Sequence, residues 1–366
     1  MQHNMQNSLV NVQIFTKKED VPLDARILET VEGALRELMV IRNPELKSAS
    51  PQIIEERLAT YLREKGEIET VYAYYPWKNL AIHMVGEEVY FELRTARNKN
   101  IITKEEQEKY RNMNVGIVGI SIGFNILSAL AFSGGPKRLR ISDNDIIEIT
   151  NLNRLRAPLW AVGMNKAIFA AQQILELDPF TELDLWPQGV TKDTLEEYVL
   201  KEPKLNIFVD EMDSIDLKIL SRLVCRQHGI PVLMATNNAD NVILDVERFD
   251  QEPEREVLHG LAKDISPEDL KGISYLEWVK IANKIVNEKN LTERMRECIK
   301  EIGKTIAAVP QLGTTATIGG AAIAYVIRKI AIGEPMPSGR YVISLDRSIK
   351  RDKQAFWKQL NPLLQG

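Results

Sequence analysis

Residues 114–154 constrain the fold of this chain more than any other stretch: NVGIVGISIGFNILSALAFSGGPKRLRISDNDIIEITNLNR. Val115–Val118 is a short strand without a polar side chain, followed by a glycine-containing turn, Gly119-Ile-Ser-Ile-Gly123, and a helix. A second strand, Leu139–Ser142, ends in Asp143-Asn-Asp145, and Asn151-Leu-Asn-Arg154 follows shortly after. Apolar strands of this length belong to a parallel sheet covered on both faces. A strand, turn and helix in this order aim backbone N–H groups at a phosphate, and an acid at the end of the next strand is placed for a ribose. The Asn–Arg pair is more than a dinucleotide fold needs, and suggests a phosphate that reacts.

The chain has 366 residues, enough for about two domains with a core in each. A net charge of −4 gives no electrostatic case for nucleic acid. The two cysteines, Cys225 and Cys298, stand in no ligand spacing, which fits a reducing compartment without disulfides. Both are predicted to be structural: Cys225 lies mid-helix, and Cys298 has cationic neighbours of the kind helix surfaces often carry. The start, MQHNMQNSLVNVQ, has neither the basic nor the apolar region of a secretory signal, so a cytoplasmic protein is expected. Val115–Gly135 is uncharged and long enough to span a membrane, but Gly119, Gly123, Asn125 and Ser128 break it. A buried strand followed by a buried helix accounts for it, and no membrane partner is expected.

Residues 1–93 read as a small α+β module, with helical periodicity over Leu28–Ile41 and Ile53–Arg63 and strands at Ile68–Tyr75, Leu80–Met84 and Val89–Leu93. His83 alternates with apolar neighbours and reads as a strand histidine. Residues 94–112 are a charged connector. From 113 to 347, strands and helices alternate: helix Gly163–Leu177, strand Leu183–Trp186, strand Leu205–Val209, helix Ile215–His228 and strand Pro231–Ala235. This predicts a Rossmann-like, mainly parallel sheet with helices on both faces. A strand at Val242–Phe249, a helical insertion at about 255–309 (helical over 267–303), a small-residue helix in Pro310–Gly333 and a last strand Arg340–Leu345 complete it, before a tail at 348–366.

Asp143, Asp145, Asp210 and Asp213 all fall at strand ends, where such sheets bind ligands. Arg154 and Lys166 can neutralise phosphate charge, and Asp213 can hold Mg²⁺. Arg94 and Arg97 precede the domain and can reach a phosphate from a neighbouring segment or subunit. Gly119-Ile-Ser-Ile-Gly123 also fits the G-x-S-x-G elbow of a hydrolase, with Asp213 and His259 as formal triad partners. That alternative leaves Asp143–Asp145 and Asn151–Arg154 unused.

Taken together, these segments resemble the ThiF/MoeB family of ubiquitin-activating-enzyme-like adenylyltransferases, from about Arg94 to Leu345. Arg94-Thr-Ala-Arg97-Asn98 matches the family's arginine element, Gly119–Phe124 its glycine loop, Asp143-Asn-Asp145 its D-x-D, and Asn151-Leu-Asn-Arg154 its N-L-x-R. Gly163-Met-Asn-Lys166-Ala167 matches G-x-x-K-A, and Asp210-Glu-Met-Asp213-Ser214 matches D-x-x-D-N. The segments Pro310–Gly333 and Ser338–Arg340 resemble its closing helix and strand. More narrowly, the chain is similar to a MoeY-like bacterial branch, which also carries the Tyr-Tyr-Pro-Trp of Tyr74–Trp77.

The resemblance implies ATP and Mg²⁺ as cofactors and a homodimer. It places Asp143 on ribose; Gly119, Ser121, Gly123 and Asp145 around the nucleotide; Asn151, Arg154 and Lys166 on the triphosphate; and Asp213 on the metal, with Arg97 reaching across the dimer. A carboxylate, from a small ubiquitin-like carrier protein or a small molecule, would attack the α-phosphate. Ser121 stands where the family has glycine, and Ser214 where it has asparagine. The paired CxxC motifs of zinc-binding members are absent, so no zinc is predicted. No cysteine sits at an obvious thioester position, which leaves adenylation alone as open as a full transfer cycle. A dinucleotide-dependent oxidoreductase and a non-catalytic nucleotide scaffold are the alternatives on the same fold.

Overall fold

The computed structural model describes residues 10–265, 270 and 272–349. The tail from 350 onward, and residues 266–269 and 271 of the insertion, lie outside the described residues.

The N-terminal module contains β1 (Gln13–Phe15), β2 (Arg26–Glu29), α1 (Val31–Arg42), α2 (Pro51–Lys65), β3 (Thr70–Tyr75), β4 (Leu80–Val85) and α3 (Glu87–Thr95). Its sheet runs β1-β3-β4-β2, antiparallel except for β2 against β4. Along β3, Val71, Ala73 and Tyr75 are buried and the residues between them are half-buried, the period of a strand with one covered face. His83 sits opposite Tyr72 and Glu29 on the neighbouring strands, stacked on the tyrosine ring at 4.3 Å with its Nδ1 2.6 Å from the Glu29 carboxylate. It is a sheet histidine, as its alternation predicts.

Two expectations need correction here. Val89–Leu93 is not a strand but the middle of α3. Gly86 opens that helix, and Glu87 and Glu88 place negative charge in its first turn, where the helix dipole favours it. The helix predicted from Leu28 starts only at Val31, because Arg26–Glu29 pairs in parallel with β4.

The second sheet is built from β5 (Asn114–Val118), β6 (Arg138–Ser142), β7 (Glu182–Trp186), β8 (Ile207–Asp210), β9 (Val232–Asn238), β10 (Asn241–Glu247) and β11 (Gly339–Ser344), in the order β11-β10-β9-β8-β5-β6-β7. The five strands from β9 to β7 pair in parallel, and β10 and β11 add an antiparallel edge. The helices between them are α4 (Lys104–Arg111, in the connector), α5 (Ile120–Phe132), α6 (Lys166–Leu177), α7 (Leu195–Leu200), α8 (Ile215–Gln227), α9 (Tyr275–Val286), α10 (Glu293–Glu301), α11 (Gly313–Ile332) and the short α12 (Leu345–Ser348).

Helices cover both faces. Ile126, Phe169 and Ile323, from α5, α6 and α11, pack with Val115 and Ile117 of β5 on one face; Val199 and Cys225, from α7 and α8, pack with Val118, Phe208 and Val232 on the other. This is the Rossmann-like α/β architecture that the alternation predicts. Burial pushes the Cys225 thiol well up, as for an inert packing residue. Gly313–Ile332 is long and apolar enough to cross a membrane, but in this fold it lies against α5. The contact is close enough that a Cβ on Gly320 would stand 2.6 Å from the carbonyl carbon of Asn125.

The module docks on the C-terminal end of α6. Trp77 Nε1 donates to Glu176 at 2.7 Å, Lys78 pairs with the same carboxylate at 2.6 Å, and Tyr90 donates to the Leu177 carbonyl at 2.5 Å.

Candidate functional site

The chain runs outward from β5 to β6 and β7, then returns to β8 on the other side of β5. The strand order therefore reverses between β5 and β8, and the loops leaving their carboxyl ends part around a crevice, the usual ligand position in an open α/β sheet. Gly119 leaves β5 with φ +92°, and a Cβ there would stand 2.2 Å from the carbonyl oxygen of Glu211 in the loop after β8. Only glycine lets the two loops lie this close. Helix α5 starts directly behind it, and Gly119 has no side chain to cap it, so the first-turn N–H groups beyond Ile120 remain available to an anion.

Asp143 closes the other side of this loop. Its carboxylate is buried and accepts from the N–H of Ile120 at 2.6 Å and of Asp145 at 2.8 Å. Burial raises its pKa, and the two N–H donors and nearby Lys166 only partly offset that. Lys166 begins α6, is itself buried, and pairs with Asp145 at 2.8 Å. Asn165, which the sequence reading passed over, holds the junction: its side chain caps α6 at the N–H of Ile168 and donates to the carbonyls of Asp143 and Pro187.

Arg154 reaches back over the glycine loop. Its Nε donates to Ser121 Oγ at 2.9 Å, and its Nη1 to the Thr150 carbonyl at 3.2 Å and to Asn153 at 3.0 Å. Burial lowers its pKa, against the opposing pull of Asp213. The serine in the glycine loop thus seats the arginine. Asn151 is buried and its Oδ1 accepts from the Glu148 N–H at 3.1 Å, shaping the turn that carries Arg154. Arg154, Asn153 and Asp213 line one cavity of about 640 Å³ with Tyr275, Trp278, Pro310 and Gln311. The insertion therefore supplies one wall, pinned where Trp278 Nε1 donates to the Asp213 carbonyl at 2.9 Å.

Not every predicted site residue comes to this crevice. Asp210 turns inward, fully buried: desolvation pushes its carboxyl up, and Lys218 and Arg222 more than reverse that, holding it below the usual range. Arg94 pairs with Asp178 at 2.6 Å and also donates to the Ala131 carbonyl, at the far end of α5 from the glycine loop. Arg97 follows it, exposed, on a segment whose Asn98 donates to the Ser133 carbonyl just past that same far end of α5. The hydrolase alternative fails: Ser121 Oγ is bonded to Arg154, while His259 is held by Asp245 at 2.9 Å and Arg255 at 2.8 Å. Among the described residues no group of three or more His, Cys, Asp and Glu side chains forms a metal cluster. A divalent cation here would take Asp213 as its carboxylate and complete its shell with ligand oxygens and water, the usual habit of Mg²⁺.

Glu211, not singled out by the sequence, is drawn in from the same loop onto the Ala235 N–H at 2.8 Å. Burial lifts its pKa from 4.5 to about 8, against that N–H and Lys218. A carboxyl whose folded pKa is raised contributes its stability below the unfolded pKa and loses it as pH rises through the folded one. Wild-type stability therefore falls, relative to Glu211→Gln, between pH 4.5 and about 8. The divergence expected by urea denaturation is on the order of 1–2 kcal/mol, part of the full linkage because the residue is not wholly enclosed. Parallel pH profiles would show that this carboxyl is ionised like an exposed one.

The ThiF family pattern matches residues 94–346. An uncharacterized protein of Mycobacterium tuberculosis (strain CDC 1551 / Oshkosh) is 36% identical over 280 residues, 76% of this chain and 38% of that protein. The tRNA threonylcarbamoyladenosine dehydratase of Bacillus subtilis (strain 168) is 31% identical over 156 residues, 42% of this chain and 59% of that protein. The chain thus spans less than two thirds of the length of either relative. Among solved structures, E. coli MccB with AMPCPP and MccA is similar with a TM-score of 0.48 at 18% identity, covering 86% of this chain and 84% of that one. With its family pattern covering most of the sequence, the chain belongs to the ThiF family.

Proposed function

We propose that the chain is an ATP-dependent adenylyltransferase, which activates a carboxylate as an acyl-adenylate and releases pyrophosphate. One observation carries this reading: Asp143, Arg154, Lys166 and Asp213 converge on the start of α5 where the strand order reverses. Asp143 would turn its carboxylate to ribose. Arg154, Lys166 and Asn151 would bind the triphosphate, and Asp213 would hold Mg²⁺ against it, neutralising charge as the leaving group departs. The acid's oxygen bonds to the α-phosphorus while the bond to pyrophosphate breaks, so positioning and charge neutralisation suffice and no enzyme nucleophile is required. Arg97, remote from this cluster in its own chain, would serve the site of a second copy in a cytoplasmic homodimer. The acceptor is the C-terminus of a small carrier protein or a small molecule. Hydride transfer on the same fold gives Arg154, Lys166 and Asp213 no joint task.

Calorimetric titration with ATP, with and without Mg²⁺, and with NAD(H) and NADP(H), tests the proposal. Mg²⁺-dependent ATP binding is expected, weakened about 10- to 100-fold in Arg154→Ala and in Asp213→Ala, as for loss of a charge-assisted contact. Binding of a nicotinamide dinucleotide instead, indifferent to both substitutions, would overturn it.

A further inference from the structure

A second cavity, of about 170 Å³, lies behind the first, beneath the insertion helices α9 and α10 and against β9. Asp213, Trp278, Val309 and Gln311 line both cavities, so the two share a wall at the residue assigned to the metal. A molecule in the inner cavity therefore ends close to where the α-phosphate would lie. Its walls are mostly apolar, including Ile122, Met234, Ala282, Val286 and Met295. An apolar cavity of about 150 Å³ accepts a benzene ring, so this one has room for one ring or a branched chain of similar bulk.

Polar side chains interrupt the apolar lining, among them Glu211, Thr236, Asn237, Asn283 and Gln311. Asn237 is 8% exposed, its Nδ2 donates to Gln311 at 3.3 Å, and its Oδ1 has no hydrogen-bond partner. A buried orphan acceptor is rare in a finished core and is met where a ligand supplies the donor. The cation in the lining, Lys218, is engaged by Asp210 at 3.0 Å, so the cavity keeps no ammonium for a second carboxylate.

Resting on the adenylation reading, we propose that this cavity holds the body of the carboxylate substrate. That substrate is a compact monocarboxylic acid with one ring or branched aliphatic group and a neutral hydrogen-bond donor at its far end, not the peptide tail of a carrier protein. Its carboxylate extends past Asp213 to the nucleotide, where a carboxylate oxygen bonds to the α-phosphorus and pyrophosphate leaves with the electrons of the broken P–O bond.

ATP–pyrophosphate exchange tests this with 4-hydroxyphenylacetate, 3-methylbutanoate, acetate and a peptide ending in Gly-Gly. Exchange with 4-hydroxyphenylacetate at least about tenfold above acetate and the peptide is expected, by the weight of one buried ring, with 3-methylbutanoate between them because it fills the cavity but lacks the far-end donor. Ala282→Phe, which fills the cavity, should lower kcat/KM for 4-hydroxyphenylacetate about tenfold or more while Mg·ATP affinity by calorimetry stays within about twofold. Should that variant not fold, Met295→Ala widens the cavity and should shift preference toward 2-naphthylacetate. Intact ATP binding with exchange only for the peptide, or with none of these acids, overturns the cavity assignment and leaves the adenylation reading standing. Failure to bind ATP at all overturns the adenylation reading itself.

Discussion

Arg222→Ala lowers unfolding stability by about 3–5 kcal/mol, the cost of breaking a buried ion pair from one side. Arg222, Asp210 and Glu247 are all fully buried. The guanidinium bridges the two carboxylates, with Nε 2.5 Å from Glu247 and Nη1 donating to Asp210, and also reaches the Lys218 carbonyl at 3.0 Å. Without it, Lys218 still compensates Asp210, but Glu247 keeps its charge in the interior with only the Leu258 N–H at 2.7 Å. Arg222→Lys retains the charge without the fork and should lose less. Chemical denaturation at neutral pH measures the difference, and a loss under about 1 kcal/mol for the alanine variant would show the pair to be hydrated. The effect extends beyond stability, because β8 ends at Asp210 and the loop that follows carries Glu211 and Asp213.

Gly119→Ala is expected to cost about 2 kcal/mol or more in stability, since the backbone conformation resists a side chain and the space is already taken. The added methyl would meet the Glu211 carbonyl oxygen at 2.2 Å and its carbon at 2.5 Å, both backbone atoms of a loop fixed by its own contacts. The loops after β5 and β8 must part, and with them the start of α5 and Asp213. Denaturation and Mg·ATP titration should therefore fail together. A variant of wild-type stability with unchanged nucleotide affinity would mean that the crevice tolerates wider spacing than its geometry implies.

Much of this was legible because it lies in one contiguous stretch. Residues 114–154 hold the glycine loop, the acid after β6 and Arg154, and the change from a continuous apolar run to helical spacing marks where each element begins. The short edge strands β1 and β2 were not legible, as three and four mostly exposed residues carry no readable alternation. Glu87–Thr95 was misread because Val89–Leu93 taken alone resembles a strand, and only the preceding Gly-Glu-Glu reveals a helix start. The inner half of the crevice depends on contacts that no local pattern encodes. Trp278 reaches Asp213 across 65 residues of sequence, and His259, a formal triad partner, is bound by an aspartate 14 residues before it. The spacing around Ser121 fits a hydrolase elbow as a minor alternative to a phosphate loop, and the bond from Arg154, far along the sequence, is what ties this hydroxyl to the loop.

Helix α6 touches both the crevice and the N-terminal module. Its first residue is Lys166, and its last turn is gripped through Glu176 and Leu177 by Trp77, Lys78 and Tyr90. Twelve helical residues make a stiff rod about 18 Å long, so a tilt of about 5° at one end swings the other by about 1.5 Å. That is half a hydrogen-bond length, enough to carry the lysine ammonium out of register with Asp145. The module thus bears on a charge it never meets: Trp77, Lys78 and Tyr90 hold one end of a rod whose other end carries the lysine.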